Sequence, residues 1–196
     1  MGGPNYKTST VVVSPEMLPT ATAESIGRGG TLTLRCTMCH GPRGVSDAKT
    51  PNLAGQYAPA IYKQLRDFKS GARSNPIMNP LVQNLIDQDM RDLGAFYAYL
   101  PRLQAYHPGH APAPQIVIHV APMRNIPPCA ACHGAIGYKV GTEWLEGESP
   151  VYLRAQLEAF ASGARHNDIS EQMRNVPRGM RPAEIEAAAT YYAGQP

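Results

Sequence analysis

Four cysteines and two histidines form the most informative pattern in this chain of 196 residues. They make up two motifs, Cys36-Thr37-Met38-Cys39-His40 and Cys129-Ala130-Ala131-Cys132-His133. The spacing Cys-x-x-Cys-His is the attachment signature of a c-type haem: both thiols form thioethers with the haem vinyl groups, and the adjacent imidazole can bind the iron. No cysteine lies outside the motifs, and two copies predict two covalently bound haems.

Other uses of these motifs fit the chain less well. Zinc ribbons usually separate their cysteine pairs by roughly 15–20 residues, whereas residues 40–128 lie between the pairs here, and zinc does not explain the histidines. A thioredoxin-like redox pair needs a strand–helix context that is missing, and simple disulfides explain neither the histidines nor the duplication. Covalent haem attachment is therefore the preferred interpretation.

Further matches show that most of the chain is an internal repeat. Leu53-Ala54-Gly55 recurs as Leu145-Glu146-Gly147, residues 64–73 recur as 156–165, and residues 95–97 align with 190–192. The stretch 101–114 is rich in proline and has no apolar period, which is typical of a semi-rigid linker. We predict an N-terminal extension (1–22), a first domain (23–103), a proline-rich linker (104–115) and a second domain (116–196).

The apolar spacing predicts an all-α fold for both domains. One helix of the first domain ends at Gly71, and its counterpart begins at Ser149-Pro150 and ends at Gly163. Closing helices are predicted over about 87–100 and over 182–193, and a short helix should lead into Cys36. The β-branched run 116–118 and the prolines at 127 and 128 leave the segment before Cys129 unassigned.

The composition suggests how such domains hold together. The chain contains 19 Pro and 18 Gly residues, about a fifth of the total against roughly 12% in an average protein. No apolar run approaches the ~18 residues of a membrane span. A small domain with this much loop would be marginal on apolar burial alone, and a covalently held porphyrin would supply the missing core. We therefore expect the haem-free chain to be largely unfolded.

The sixth iron ligand decides what each haem can do, because a methionine thioether gives a closed, high-potential, electron-transferring site. Met78 and Met173 each lie 19 residues before the equivalent tyrosines Tyr97 and Tyr192, in irregular segments. We predict these two methionines as the sixth ligands. Four other methionines fit worse. Met90 lies in the apolar stripe of a helix, and Met180 aligns with a leucine. Met38 lies inside a haem motif, and Met123 has no counterpart in the other half.

The remaining histidines and two arginines allow more than one role. His107 and His110 lie in the predicted linker, and His119 and His166 have no counterpart in the other half, so surface or hydrogen-bonding roles are expected. Bis-histidine coordination would need one of them. Arg73 and Arg165 follow the two helix-ending glycines. They could pair with haem propionates or be solvated cations near a helix C-terminus, and both readings stay open.

The chain resembles the di-haem cytochrome c4 family, and the closely similar haem subunit of flavocytochrome c sulfide dehydrogenase, over residues from about 24 to 194. The resemblance rests on four groups of residues: the two Cys-x-x-Cys-His-Gly motifs with Gly44 and Gly137, residues 51–56, the repeated Gln-Leu to Ser-Gly-Ala-Arg segments, and residues 126–134.

The resemblance implies two class I cytochrome c domains related by pseudo-twofold symmetry, with the haem propionates facing one another near the interface. It also implies that His40 with Met78, and His133 with Met173, are the axial ligand pairs. In such domains a proline carbonyl commonly orients the proximal histidine. The second copy departs from this pattern, since it has Trp144 in place of Asn52 and no proline that matches Pro51.

Charge and family likeness together indicate the partners. Residues 1–104 hold 11 Lys/Arg against 7 Asp/Glu, whereas residues 105–196 hold 7 against 8. A basic first domain can steer an acidic protein partner, but without a Lys/Arg cluster it is no nucleic-acid-binding surface. The family implies periplasmic redox partners such as a terminal oxidase or a dehydrogenase.

Residues 1–30 contain no signal peptide, so Met1-Gly2-Gly3 resembles an edited start. Membrane contact would need a missing anchor or a membrane-bound partner.

Three functional classes are compatible with two haem motifs. The preferred one is a non-enzymatic electron carrier, which includes the cytochrome subunit of a dehydrogenase or oxidase complex. A di-haem peroxidase would need one haem with an accessible sixth position, and the two matched methionines argue against it. A haem-based sensor would need a signalling domain, and none is visible in the sequence.

Overall fold

A computed structural model describes residues 14–15, 18, 20–46, 49–102, 112–133 and 139–195. The predicted all-α fold is confirmed for these residues, which form helices and a single isolated bridge between Ala121 and Ile126. The α-helices are α1 (Ala23–Leu32), α2 (Thr37–His40), α3 (Ala58–Ser70), α4 (Met78–Val82), α5 (Asp87–Tyr99), α6 (Gln115–Ile118), α7 (Pro150–Ser162), α8 (Gln172–Gly179) and α9 (Pro182–Ala193). Short 3₁₀ turns cover Thr33–Arg35, Pro122–Arg124, Cys129–Ala131 and Ile169–Glu171.

The first half is organised around the crossing of α1 and α5. The two helices approach so closely that a Cβ on Gly29 would lie 2.1 Å from the Asp92 carbonyl oxygen. Asp92, which is 1% exposed, accepts hydrogen bonds from Ser25 and Arg28 of α1. Helix α1 continues through the 3₁₀ turn to the first haem motif, which confirms the helix predicted before Cys36.

The helix ends follow the local signals in the sequence. The Ser149 side chain accepts a hydrogen bond from the Tyr152 N–H at the start of α7. Both α3 and α7 end on a glycine with a left-handed backbone, Gly71 and Gly163, each with φ 80°. A side chain is strained in that conformation, so glycine is favoured there. The closing helices α5 and α9 also lie where they were predicted, with α5 ending one residue early.

Among residues 112–133 and 139–195, the second half shows no counterpart of α1. Its lead-in to Cys129 is the four-residue α6, a turn at Pro122–Arg124, and the Ala121–Ile126 bridge. Prolines at 114, 122, 127 and 128 prevent a continuous helix here. The β-branched run 116–118 therefore forms one helical turn, and its Ile116 and Val117 side chains are buried in the second core.

Each half has its own apolar core, and buried polar groups join the halves. In the second core, Met180 is 8% exposed, and in the first half Met90 is 4% exposed, so both methionines pack as expected. Between the halves, Lys63 is bonded to Asp67 at 2.5 Å and donates to the Asn167 carbonyl at 2.6 Å. The Asn167 amide also donates to Asp67, so these three buried groups satisfy one another across the interface.

The predicted domain boundary and most of the linker, including His107 and His110, lie outside the described residues. The end of the first domain is held in place just before the linker: the Arg102 guanidinium lies 3.7 Å from the Trp144 ring centroid, and its Nε donates to the Gly55 carbonyl. Within the described ranges, no helix combines the length and apolar character needed to cross a membrane.

Candidate haem sites

A cavity of about 1420 Å³ runs through both halves of the molecule. It exceeds the roughly 300–1,000 Å³ of an ordinary small-molecule pocket. Its walls include the residues that the sequence singled out: Cys36, Cys39, His40, Met78, Cys129, Cys132, His133 and Met173. Apolar walls from both halves complete it: Leu32, Leu53, Ile61, Leu65, Phe68, Leu145, Leu153, Leu157 and Phe160. The structure thus brings every predicted attachment and ligand residue to one cavity.

Both motif histidines are buried and held by a backbone carbonyl. His40 Nδ1 lies 2.8 Å from the Pro51 oxygen, and His133 Nδ1 lies 2.8 Å from the Glu143 oxygen. The carbonyl of Glu143 therefore replaces the proline carbonyl that the second copy lacks. The hydrogen bond to the histidine is kept without a proline, because a backbone carbonyl forms it and any residue has one.

This bond determines which histidine nitrogen can bind iron. A carbonyl only accepts, so Nδ1 carries the proton and Nε2 keeps its lone pair. His133 Nε2 is buried without a hydrogen-bond partner, and His40 and His133 both line the cavity. Burial lowers the pKa of His40, which favours the neutral imidazole. An orphaned basic nitrogen facing a large apolar cavity fits a haem iron.

None of the four cysteines forms a disulfide, as thioether attachment to haem requires. Cys36, Cys129 and Cys132 are partly buried, and Cys39 is exposed. Burial raises the pKa of the Cys129 thiol to about 11 and also raises that of Cys36. The described residues contain no group of three or more His, Cys, Asp or Glu side chains that could hold a metal ion, so they offer no four-thiolate site for zinc.

Met78 is the first residue of α4, on the cavity wall and half-buried. The Asn75 side chain accepts hydrogen bonds from the Ile77 and Met78 N–H groups, both at 2.9 Å. The Asn79 side chain bonds back to the end of α3 and to the Arg73 carbonyl. A network of asparagine side chains therefore holds this methionine segment.

Met173 is held differently, in the first turn of α8. The preceding residues Ser170 and Glu171 have φ of 52° and 58°, in the left-handed region that favours glycine. Asp168 accepts from the Arg174 N–H and side chain at 2.8 and 2.7 Å, which ties down the other side of the methionine. Met173 lies eight positions after Arg165, whereas Met78 lies five after Arg73, so the second copy has three extra residues just before this methionine, where the Ile169–Glu171 turn lies.

The alternative ligands occupy other places. Met38 and Met123 are 88% and 96% exposed, and Met90 does not line the cavity. Met180 lines the cavity but packs in the second apolar core. His119 and His166 are exposed and do not line the cavity.

Arg73 and Arg165 lie on the cavity wall at the junction of the halves. Each guanidinium stacks on a phenylalanine of its own half, at 4.6 Å from Phe68 and 4.4 Å from Phe160. Arg73 donates across the interface to Tyr152 and Gln156, and Arg165 forms an ion pair with Glu143 at 3.3 Å. The Arg165 side chain is only 10% exposed, so it differs from a solvated cation at a helix end.

Sequence reasoning missed two further residues at the same junction, Gln56 and Glu148. They are 8% and 4% exposed and contact the backbone of the opposite half. They stand 92 positions apart, the offset of the neighbouring Leu53 and Leu145 segments. Their equivalence in the repeat is the signal that could have found them.

Comparison with known proteins agrees with this geometry. Residues 27–100 match the family Cytochrome c. The chain is 39% identical over 176 residues to the thiosulfate dehydrogenase electron acceptor of Stutzerimonas stutzeri, covering 85% of this chain and 82% of that protein. It is 35% identical over 167 residues to cytochrome c4 of Thiocapsa roseopersicina, covering 81% and 86%.

The structural likeness extends over nearly the whole molecule. Reduced recombinant cytochrome c4 from Pseudomonas stutzeri superposes with a TM-score of 0.79 at 28% identity, covering 90% of this chain and 100% of that chain. The class I cytochrome c fold, the two covalently attached haems c and electron transfer in place of catalysis are thereby confirmed. The chain belongs to the cytochrome c4 family of di-haem cytochromes c.

Proposed function

We propose that this cytochrome carries single electrons between redox proteins of the periplasm, with His40 and Met78 as axial ligands in the first half and His133 and Met173 in the second. One observation carries the proposal: in each half a buried imidazole and a half-buried methionine face the same haem-sized cavity. A haem held there would supply one-electron ferric/ferrous chemistry, and a thioether ligand would favour the ferrous state.

The protein residues around the cavity would do three things. Carbonyls at Pro51 and Glu143 orient the two imidazoles, and apolar side chains exclude water. Arg73 and Arg165 would pair with haem propionates, because both guanidinium groups lie on the cavity wall in a polar, partly buried cluster. Replacing either arginine should change the midpoint potential of the haem that it faces.

A visible spectrum tests the ligand assignment. We expect two covalently bound haems that are low-spin in both oxidation states, with the weak far-red ferric band that reports Met–iron bonding. Haem should stay with the protein after acid–acetone extraction, because thioethers survive it. Extractable haem would contradict covalent attachment, and a high-spin ferric spectrum would contradict two methionine ligands.

The finer proposal concerns docking. Two exposed apolar residues, Leu34 (78%) and Ile77 (58%), line the first-half end of the cavity, and the exposed Met38 (88%) lies in the chain between the lining residues Cys36 and Cys39. The exposed cations Arg35 and Lys49 line the same end of the cavity. We call these five residues the first-half docking surface. Together with the positive charge of residues 1–104, this surface fits an acidic redox protein, with electrons then passing between the two haems inside the molecule.

The association rate with an acidic partner tests this surface. The rate should fall as salt rises, because screening shortens the steering field. Arg35→Gln with Lys49→Gln should lower the rate at low salt, whereas Lys139→Gln, an exposed cation of the second half, is the matched control and should not. A rate that is flat in salt, or cross-links confined to residues 116–196, would contradict the proposal.

A second candidate role is the electron acceptor of a dehydrogenase. The relative from Stutzerimonas stutzeri is named as the electron acceptor of thiosulfate dehydrogenase, and that name favours this role. The ferric protein should then be reduced when mixed with such a dehydrogenase and thiosulfate, and remain ferric with either alone. No reduction in the complete mixture would leave the general carrier as the function.

A further inference from the structure

The peptide group that holds each proximal histidine is itself bound by the opposite half of the molecule. In the first half the Pro51 carbonyl accepts from His40 Nδ1 at 2.8 Å. The N–H of that same peptide belongs to Asn52 and donates to Glu148 Oε2 at 3.0 Å. One planar peptide therefore joins the imidazole of the first half to a carboxyl group of the second.

The second half repeats the arrangement with one chemical difference. The Glu143 carbonyl accepts from His133 Nδ1 at 2.8 Å, and the N–H of that peptide, on Trp144, donates to Gln56 Oε1 at 2.7 Å. Gln56 and Glu148 hold equivalent positions in the two repeats. The two relays thus match in geometry but end on a neutral amide in one case and on an ionisable carboxyl group in the other.

The difference matters because hydrogen bonds in a chain polarise one another. An anionic acceptor on a peptide N–H pushes electron density toward the carbonyl oxygen, which then accepts more strongly from the imidazole Nδ1–H. A stronger bond at Nδ1 makes Nε2 a better donor to a metal. A better donor favours ferric over ferrous iron. An amide acceptor polarises its peptide much less.

We propose that Glu148 of the second half tunes the haem of the first half through the Pro51–Asn52 peptide, so that this haem alone becomes harder to reduce as Glu148 ionises. Gln56 gives the second haem the same contact without the charge. Glu148 is a positioning residue that acts through His40 and touches neither iron ligand. The proposal rests on the proposed function, since it needs one histidine-ligated haem in each half.

The surroundings of Glu148 allow it to change charge near neutral pH. Burial raises its pKa to about 8, against the hydrogen bonds from the Asn52 and Ser149 N–H groups, and repulsion from Glu143 adds to the rise. Glu143 is the charged side chain acting on it, and Arg165 and its neighbouring cations keep Glu143 ionised by lowering its pKa against the effect of burial. Haem propionates would add negative charge to the cavity and act in the same direction as Glu143.

The sign of the effect follows directly. Below its pKa Glu148 is a neutral acid, and the two relays resemble each other. Above its pKa the carboxylate strengthens the His40 bond and lowers the potential of the first haem. One of the two midpoint potentials should therefore fall between about pH 7 and about pH 9, centred on the pKa of about 8 of Glu148, while the ionisation of Glu148 leaves the other potential unchanged.

The experiment measures both midpoint potentials of the holoprotein by spectroelectrochemistry over this pH range, in wild type, Glu148→Gln and Gln56→Glu. Glutamine at 148 copies the residue that the other half already uses. At high pH we expect Glu148→Gln to raise the ferrous-to-ferric ratio of the first haem about tenfold, ~59 mV for a one-electron couple. Gln56→Glu should instead make the second haem pH-dependent. Met78→Ala identifies the first haem, because only that haem should then bind carbon monoxide.

A second readout does not depend on electron transfer. In the NMR spectrum of the ferrous protein, the Nδ1–H proton of His40 should move upfield in Glu148→Gln, while that of His133 stays in place. Potentials and shifts unchanged in Glu148→Gln, or an equal change at both haems, would overturn the proposal. If a variant does not fold, the wild type alone still tests the proposal, because two pH-independent potentials would overturn it. Failure of the proposed function would give a different result, because the haem would then be extractable or the Met–iron band would be missing.

Discussion

At the scale of single residues, the site depends on how ordinary side chains are held. His40 and His133 are bonded to carbonyls of different residues, Pro51 and Glu143, yet both distances are 2.8 Å. The acceptor is a backbone carbonyl in both cases, so it depends on where the residue lies in the chain and not on its side chain. The two methionines differ more: Met78 follows a hydrogen-bonded asparagine turn, whereas Met173 follows two residues with left-handed backbone.

Replacing each methionine separately tests its proposed role. Met78→Ala or Met173→Ala should open one haem to carbon monoxide and leave the other closed, and should lower the potential of the opened haem because a thioether favours ferrous iron. Carbon monoxide difference spectra of the ferrous protein measure the stoichiometry. Met90→Ala is the control, since Met90 is buried away from the cavity. A six-coordinate, wild-type spectrum in either ligand variant would refute that assignment.

At the scale of elements, the two halves are built alike except at their first helix. The crossing of α1 and α5 closes the first half, and Gly29 permits it because no side chain separates the two backbones. The second half has the four-residue α6 against α9 in that place. Prolines around the second motif explain the loss, since they remove the N–H donors that a longer helix needs.

Two glycines of α1 make a matched test of that crossing. Gly29→Ala would place a Cβ 2.1 Å from the Asp92 carbonyl oxygen, and such overpacking costs about 1–3 kcal/mol. Gly27→Ala meets nothing within 4 Å and should stabilise the helix by ~0.5–1 kcal/mol, because alanine restricts the unfolded chain. Thermal unfolding of the holoprotein measures both. Equal melting temperatures for the two variants would rule out the close contact.

At the scale of the whole molecule, one large cavity lies between the two apolar cores. About 1420 Å³ separates helices that would otherwise bury their apolar faces against each other. Buried polar residues such as Lys63, Asp67 and Asn167 join the halves and satisfy each other's hydrogen bonds. That satisfaction is what makes their burial tolerable.

Removing haem should therefore remove the fold. A chain expressed without haem attachment loses the apolar group that fills the cavity, and we expect it to be largely unfolded, since water would enter a space lined by leucine and phenylalanine. Far-UV circular dichroism and amide exchange, each against the holoprotein, measure this. A haem-free chain with native helix content and protected amides would contradict the prediction.

Local sequence patterns determined much of this protein. The two Cys-x-x-Cys-His motifs predicted two haems because haem attachment is encoded by residue type and spacing, and the repeat made Met78 and Met173 the predicted sixth ligands. The caps at Ser149, Gly71 and Gly163 located the helix ends for the same reason: a cap acts within one turn of its own residue.

Only the tertiary structure decided what faces these residues. The Glu143 carbonyl carries no residue-type signal, since every residue has one, so its contact with His133 could not be predicted from the sequence. Gln56 and Glu148 act on peptides 88 and 96 residues away in the chain, and Arg73 and Arg165 lie at a junction that neither half forms alone. Such contacts depend on how two folded halves meet, and that relation is set by three-dimensional packing.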